Sequence, residues 1–129
     1  MFYSKGDILE KKINNEFFRK LLHSKTRSLR YTTHSIERAV KRKIINKNEK
    51  TIPRFEKDIG NKDPHLAVEQ TSEFEGERKF KLYYKAPEGG FIAYILALNK
   101  QMRLISVYKT TKSIQEKLYK HEKAIMKKR

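Results

Sequence analysis

Apolar residues recur at helical spacing in the first part of the chain and at strand spacing in the second. Ile8, Leu9, Ile13, Phe17, Phe18, Leu21 and Leu22 stand mostly three and four residues apart, which predicts an amphipathic helix over Asp7 to His23. The stretch from Ser24 to Thr33 is polar. Thr33 can cap a second helix, whose stripe of Ile36, Val40 and Ile44 repeats every four residues and whose end is expected near Asn46. From Lys47 to Gly76 the period is lost and Pro53 and Pro64 interrupt the chain, so irregular structure is expected, with room for one short element.

In Lys79 to Lys85 the period changes to two. Phe80, Leu82 and Tyr84 alternate with Lys79, Lys81, Tyr83 and Lys85, which predicts a half-buried strand with one polar, basic face. Ala86-Pro87-Glu88-Gly89-Gly90 is a turn, and Phe91 to Leu98 is apolar throughout, as a central strand covered on both faces would be. Asn99-Lys100-Gln101 turns the chain into a third strand, Met102 to Lys109. Ser113 and Glu116 form a capping box that opens a last helix, with Ile114, Leu118, Ile125 and Met126 on one face. Its terminal Lys127-Lys128-Arg129 suits the negative end of a helix. The expected fold is α+β: N-terminal helices packed on an antiparallel sheet of three to four strands, with a C-terminal helix. Residues 1–129 are expected to form a single domain.

Composition adds a strong constraint. There are 31 Lys and Arg against 15 Asp and Glu, a net charge of +16, and so large a surplus calls for a polyanionic partner or an anionic surface. The seven Phe and seven Tyr supply the burial that disordered basic tails lack. With no cysteine, disulfide frameworks, thiol catalysis and Cys-based zinc sites are excluded. The first residues meet charge early without an apolar core segment, and the longest apolar run is too short to span a bilayer, so a cytoplasmic protein without a secretory signal or membrane span is expected. There is no P-loop, no Gly-x-Gly-x-x-Gly and no Gly-x-Ser-x-Gly, and neither a metal nor another cofactor is expected. Glu73, Glu75 and Glu77 read as a solvated loop rather than a magnesium site.

The charge is concentrated. From Arg19 to Arg54 twelve bases stand against two acids, Glu37 and Glu49, whereas from Glu56 to Glu77 seven acids stand against two bases. At about 100° per residue, His34, Arg38, Lys41 and Arg42 share one side of the second helix, roughly opposite its apolar stripe. By spacing alone, an exposed histidine is more often inert and a charge run is more often a solvated face. Imidazole can nevertheless move a proton near neutrality, and guanidinium groups can clamp a phosphate and stabilise the charge that develops on it. That set suits metal-independent RNA cleavage, in which a 2′-hydroxyl attacks the adjacent phosphorus and an acid protonates the departing 5′-oxygen.

The run Leu29-Arg30-Tyr31-Thr32-Thr33-His34-Ser35-Ile36-Glu37-Arg38-Ala39-Val40-Lys41-Arg42-Lys43-Ile44 resembles the helix-entry motif of the RegB family of phage endoribonucleases. The matched pattern is Tyr-x-x-His-x-x-acid-Arg-Ala-x-x-Arg-x-Ile. The resemblance implies a RelE-like fold, with related chemistry in RelE-type and BrnT-type toxins. It puts His34 in the place of a catalytic histidine, and Arg38 and Arg42 in the places of motif arginines. The family carries a second important histidine further along the chain. The ungapped position here is Arg54, and the next histidine is His65, which stands as the candidate acid–base partner.

Candidate substrate-binding residues are Arg30, Lys41, Arg54, Lys81, Tyr83, Lys85, Tyr108 and Lys109, with Tyr83 and Tyr94 equally readable as core tyrosines. His23 and His121 lack a matched motif and read as structural or solvent-facing. The leading expectation is an endoribonuclease cutting single-stranded mRNA with some sequence preference. Candidate partners beyond mRNA are a ribosome, a host RNA-binding protein and an antitoxin. The alternative is a non-catalytic RNA- or DNA-binding regulator on the same scaffold. A basic amphipathic last helix lying on a membrane surface is a weaker third reading, since its apolar stripe is needed to cover the sheet.

Overall fold

The alternating and all-apolar segments of the second half pair with one another and seed a sheet that the first half then extends at both edges. The computed structural model describes residues 4–5, 8–14, 16, 18–20, 29–72, 74–99, 101–110, 114, 116–118 and 120. Its strands are β1 (Ser4–Lys5), β2 (Ile8–Ile13), β3 (Leu29–Tyr31), β4 (Leu66–Gln70), β5 (Arg78–Lys85), β6 (Phe91–Leu98) and β7 (Met102–Lys109). They form one sheet in the order β1-β2-β4-β5-β6-β7-β3. Every pairing is antiparallel except β3 with β7, which is parallel and short, from Leu29 opposite Met102 to Tyr31 opposite Leu104. Between β5 and β6, Gly89 and Gly90 both take positive φ, which side chains other than glycine rarely tolerate in a tight hairpin.

The period of two gives the sheet two different faces. On one, Phe80, Leu82, Tyr84, Ile92, Tyr94 and Leu96 form the main core. Helices α1 (Thr33–Lys41) and α2 (Pro53–Asn61) cover it through Ile36, Ala39, Val40, Phe55 and Ile59, and Phe18 packs on Phe80. On the other face Leu66, Val68, Tyr83, Phe91 and Ala93 meet Ile114 and Leu118, which lie in helical conformation. β6 is buried on both sides, which explains why its sequence shows no alternation.

The α+β class and the three long strands agree with expectation, but the sheet is larger and mixed. The N-terminal helix expected over Asp7 to His23 is replaced in part by β2, while residues 16 and 18–20 are helical. Ile8, Leu9 and Ile13 suit either period, and pairing with β4, Ile13 opposite Ala67 and Glu10 opposite Gln70, decides between them. Helix α1 begins and ends earlier than its stripe suggested. Its cap is Thr32, whose Oγ1 accepts from the Ser35 amide at 3.0 Å. It stops because Lys43 adopts φ 59° and the Ile44 and Ile45 amides return to the Ala39 carbonyl. The stretch expected to be irregular contains both α2 and β4. Pro53 stands in the first turn of α2, where its missing N–H and fixed φ favour a helix. The capping box at Ser113 and the apolar positions Ile125 and Met126 fall outside the described residues.

The acids that balance the sheet are built into it. Asp58, 6% exposed, accepts a hydrogen bond from the Tyr94 hydroxyl at 2.8 Å and lies 3.8 Å from Lys62 Nζ. Burial raises the Tyr94 hydroxyl well above the usual tyrosine range, with Asp58 adding to it. Tyr84 is raised by burial and then by Asp58 and Asp63, and Tyr31 by burial and its bond to Glu56. The unfolded chain ionises these tyrosines near pH 10, so it releases protons that the folded chain retains. The part of the stability that these tyrosines contribute is therefore expected to be fully present below about pH 10 and to fall as pH rises beyond it. Denaturant midpoints measured across that range should decline, and Tyr94→Phe should decline less steeply.

Candidate nucleic-acid interface

The parallel partner β3 covers the outer edge of β7 only as far as Leu104, and beyond it the Arg42 side chain at the end of α1 reaches the β7 backbone. Thr32 turns the chain away from the sheet while its amide and its hydroxyl both donate to the Leu104 carbonyl, at 3.3 and 3.2 Å. Its Oγ1 also caps α1, so one side chain fixes both the helix start and its place over β7. Thr32→Ala is expected to destabilise the fold by about 1 kcal/mol, within the range for lost caps, and a lower thermal midpoint would register it.

Along α1, His34, Arg38 and Arg42 recur every four residues on one face. The Arg42 Nη1 donates to the Val107 carbonyl at 2.6 Å, and its guanidinium lies 5.8 Å from the centroid of the Tyr108 ring. Arg38 Nη1 and Arg42 Nη1 both approach the hydroxyl oxygen of Ser106, at 3.3 and 3.4 Å. Ser106 is 3% exposed, and its two lone pairs can accept from both arginines. A bulge at the β6–β7 register shift sets Ser106 opposite Ile95 while Leu104 remains opposite Leu96.

Two guanidiniums thus converge on one neutral hydroxyl. Among the described residues no carboxylate pairs with either of them. Five acids are paired elsewhere: Asp63 with Arg19, Glu16 with Lys20, Glu88 with Arg54, Glu69 with Arg78 and Glu77 with Arg103, while Glu37 is exposed on α1 itself. Positive charge is left at the α1–β7 edge, where neighbouring cations repel until an anion joins them. His34 is exposed one turn before Arg38, with Lys41 exposed at the helix end.

Of the residues expected at a site, the structure gathers His34, Arg38, Lys41, Arg42 and Tyr108 here, with Lys109 exposed at the end of β7. Arg30 is exposed on β3, which leads into α1. His65 is not part of this group. It precedes β4, its ring packs 4.9 Å from Phe91, and its Nε2 lies 3.2 Å from the Leu118 carbonyl. Three strand spacings, about 14 Å, separate β4 from β7, so His65 is no acid–base partner for His34. Arg54 is held by Glu88 at 2.6 Å, and this bond holds the Glu88 carboxyl below its usual range. Tyr83 is 6% exposed in the second core cluster, so it cannot stack a base. Lys81 leans over Tyr83 at 6.0 Å and Lys85 ends β5, both away from the α1 edge. The expected solvated acidic loop is also corrected at Glu77, whose side chain is 7% exposed in its pair with Arg103. Ser106 has no counterpart among the expected site residues, because a lone serine in a strand carries no signal of its own.

Comparisons with protein-family models, curated proteins and solved structures return no match. Among the described residues no helix is long and apolar enough to cross a membrane, and no three His, Asp or Glu side chains are grouped to hold a metal ion.

Proposed function

We propose that this chain is a metal-independent endoribonuclease that cleaves single-stranded regions of mRNA, with its active centre at the α1–β7 edge. The observation that carries the reading is the convergence of Arg38 and Arg42 on Ser106 without a carboxylate among the described residues. A scissile phosphate seated there would have its non-bridging oxygens held by the two guanidiniums. His34 would take the proton of the 2′-hydroxyl as its oxygen attacks phosphorus. The phosphorus–5′-oxygen bond breaks, and the 5′-oxygen takes a proton from an acid, leaving a 2′,3′-cyclic phosphate. Tyr108, whose ring lies beside the Arg42 guanidinium, would be the proton donor. The resemblance of Leu29 to Ile44 to the RegB motif supports the same roles for His34, Arg38 and Arg42. On this reading the fold is RelE-like, the setting is a host cytoplasm, and a ribosome, an RNA-binding protein or an antitoxin would modulate the activity.

A pool of transcripts incubated with the protein in EDTA, with product ends mapped, tests activity, metal independence and sequence preference together. Cuts at defined positions are expected. A second reading, an RNA-binding regulator without chemistry, is favoured by the placement of His65 far from His34. It predicts strongly salt-dependent RNA binding and no product between about pH 5 and 9.

A further inference from the structure

We propose that the cleft beside the β6–β7 turn binds an unpaired nucleobase of the same RNA strand whose phosphate lies between Arg38 and Arg42. The proposal rests on the reading of the chain as RNA-binding and names a recognition subsite for it. The cleft has a volume of about 400 Å³ and is lined by Phe74, Glu75, Glu77, Asn99, Gln101 and Arg103. Phe74 is 66% exposed, and no other large apolar side chain among the described residues is exposed. A ring left in water at the wall of a polar cleft offers a base a face to stack on, and stacking is tolerant of base identity.

The polar wall favours a base over a phosphate. The Glu77 carboxylate accepts from the Ser72 hydroxyl at 3.1 Å and from the Arg103 guanidinium, which fixes the Arg103 side chain in place. Asn99, which lines the cleft, accepts from the Gln101 amide through Oδ1 at 2.9 Å, and its side-chain NH2 is a donor. The Gln101 side chain adds a donor and an acceptor, and exposed Glu75 adds acceptors only. Carboxylates repel a phosphate, whereas mixed donors and acceptors beside an aromatic ring match a neutral heterocycle with polar edges.

The position suits a strand running from the arginine pair. Arg103 precedes Ser106 by three residues on β7, about 10 Å along the strand. Strand register places Lys79, Ala97, Arg103 and Arg30 in one cross-strand row, with Arg30 exposed on the strand that leads into α1. Arg30 therefore stands next to the cleft residue Arg103, on the side of the cleft toward β3 and α1.

The test is fluorescence anisotropy of the full chain with a labelled single-stranded RNA, and with a set of the same RNA carrying one abasic nucleotide at each position in turn. Wild type is expected to lose about tenfold in affinity when one particular position is abasic, the scale of one stacked base. Phe74→Ala should bind the intact RNA about tenfold more weakly, show no further loss at that position, and keep the wild-type slope of log K against log salt. Gln101→Ala should weaken binding at the same position by a smaller factor. Wild-type affinity in Phe74→Ala, or an abasic penalty that persists in it, would overturn the cleft assignment while leaving the arginine site standing. The same holds if Phe74→Ala only dissolves a dimer in sedimentation and leaves RNA affinity unchanged. Failure of the wild type to bind any RNA would overturn the RNA reading and the cleft with it.

Discussion

His34→Ala is expected to lower RNA cleavage in EDTA by about 10²–10⁴-fold, the usual contribution of a positioned acid or base, while RNA affinity changes little. The two effects separate because of where His34 stands. Its side chain is exposed at the start of α1, and folding relies instead on the cap Thr32 and on buried Ser35 and Ala39 of the helix. Removing the imidazole takes away a proton carrier but leaves both guanidiniums on Ser106. The thermal midpoint should therefore stay close to wild type, as for surface substitutions in general. A single-turnover assay with bound RNA separates the chemical step from binding. Cleavage by His34→Ala at the wild-type rate would remove His34 from the mechanism. Product from neither protein, with tight binding by both, would favour the regulator reading.

The parts of the fold that can be read from the sequence are those in which local periodicity and final environment agree. Phe80, Leu82 and Tyr84 alternate because β5 has one face on the main core, and Phe91 to Leu98 does not because β6 is covered twice. β2 is obscured because Ile8, Leu9 and Ile13 fit both periods and only pairing with residues more than fifty positions away settles them. β3 is three residues long and exists through β7 alone. α2 is hidden because Pro53 reads as a breaker, although its sequence also carries Phe55 and Ile59 at a four-residue interval. At the site, the shared face of His34, Arg38 and Arg42 is legible because i, i+4 spacing is local. Ser106, Val107 and the bulge that presents them are not, since their role arises from tertiary contact across more than sixty residues.

Charge segregation along the sequence acquires a different meaning in the fold. The acidic middle stretch is not a solvated counterweight: Glu56 accepts from the Tyr31 hydroxyl, Asp58 from the Tyr94 hydroxyl, and Glu69 and Glu77 each hold an arginine of the sheet. Glu69 and Glu77 neutralise bases of β5 and β7, whereas among the described residues no carboxylate pairs with Arg38 or Arg42. The net charge of +16 is thereby focused by pairing as well as by sequence order.

That focusing makes the arginine pair the second decisive test. Arg38→Ala and Arg42→Ala are each expected to lower the cleavage rate by about 10²–10³-fold, the scale for losing one preorganised group at developing charge. The double variant should fall by less than the product of the two, because both side chains share Ser106 and, on the proposed reading, would act on one phosphate. The slope of log K against log salt should become shallower by about 0.7 for each phosphate of single-stranded RNA that is no longer neutralised. Arg42→Ala also leaves the Val107 carbonyl without its donor, at a cost of about 1 kcal/mol, so folding must be checked by thermal melting before rates are compared. Ser106→Ala separates position from charge. It keeps both cations, so the salt slope should hold, while the loss of the shared acceptor should slow cleavage. Lysine at position 42 should likewise preserve the slope but not the rate, since a point charge lacks the planar fork. If instead the arginine-to-alanine variants retain both the wild-type salt slope and the wild-type rate, RNA does not engage the α1–β7 edge and the active centre lies elsewhere.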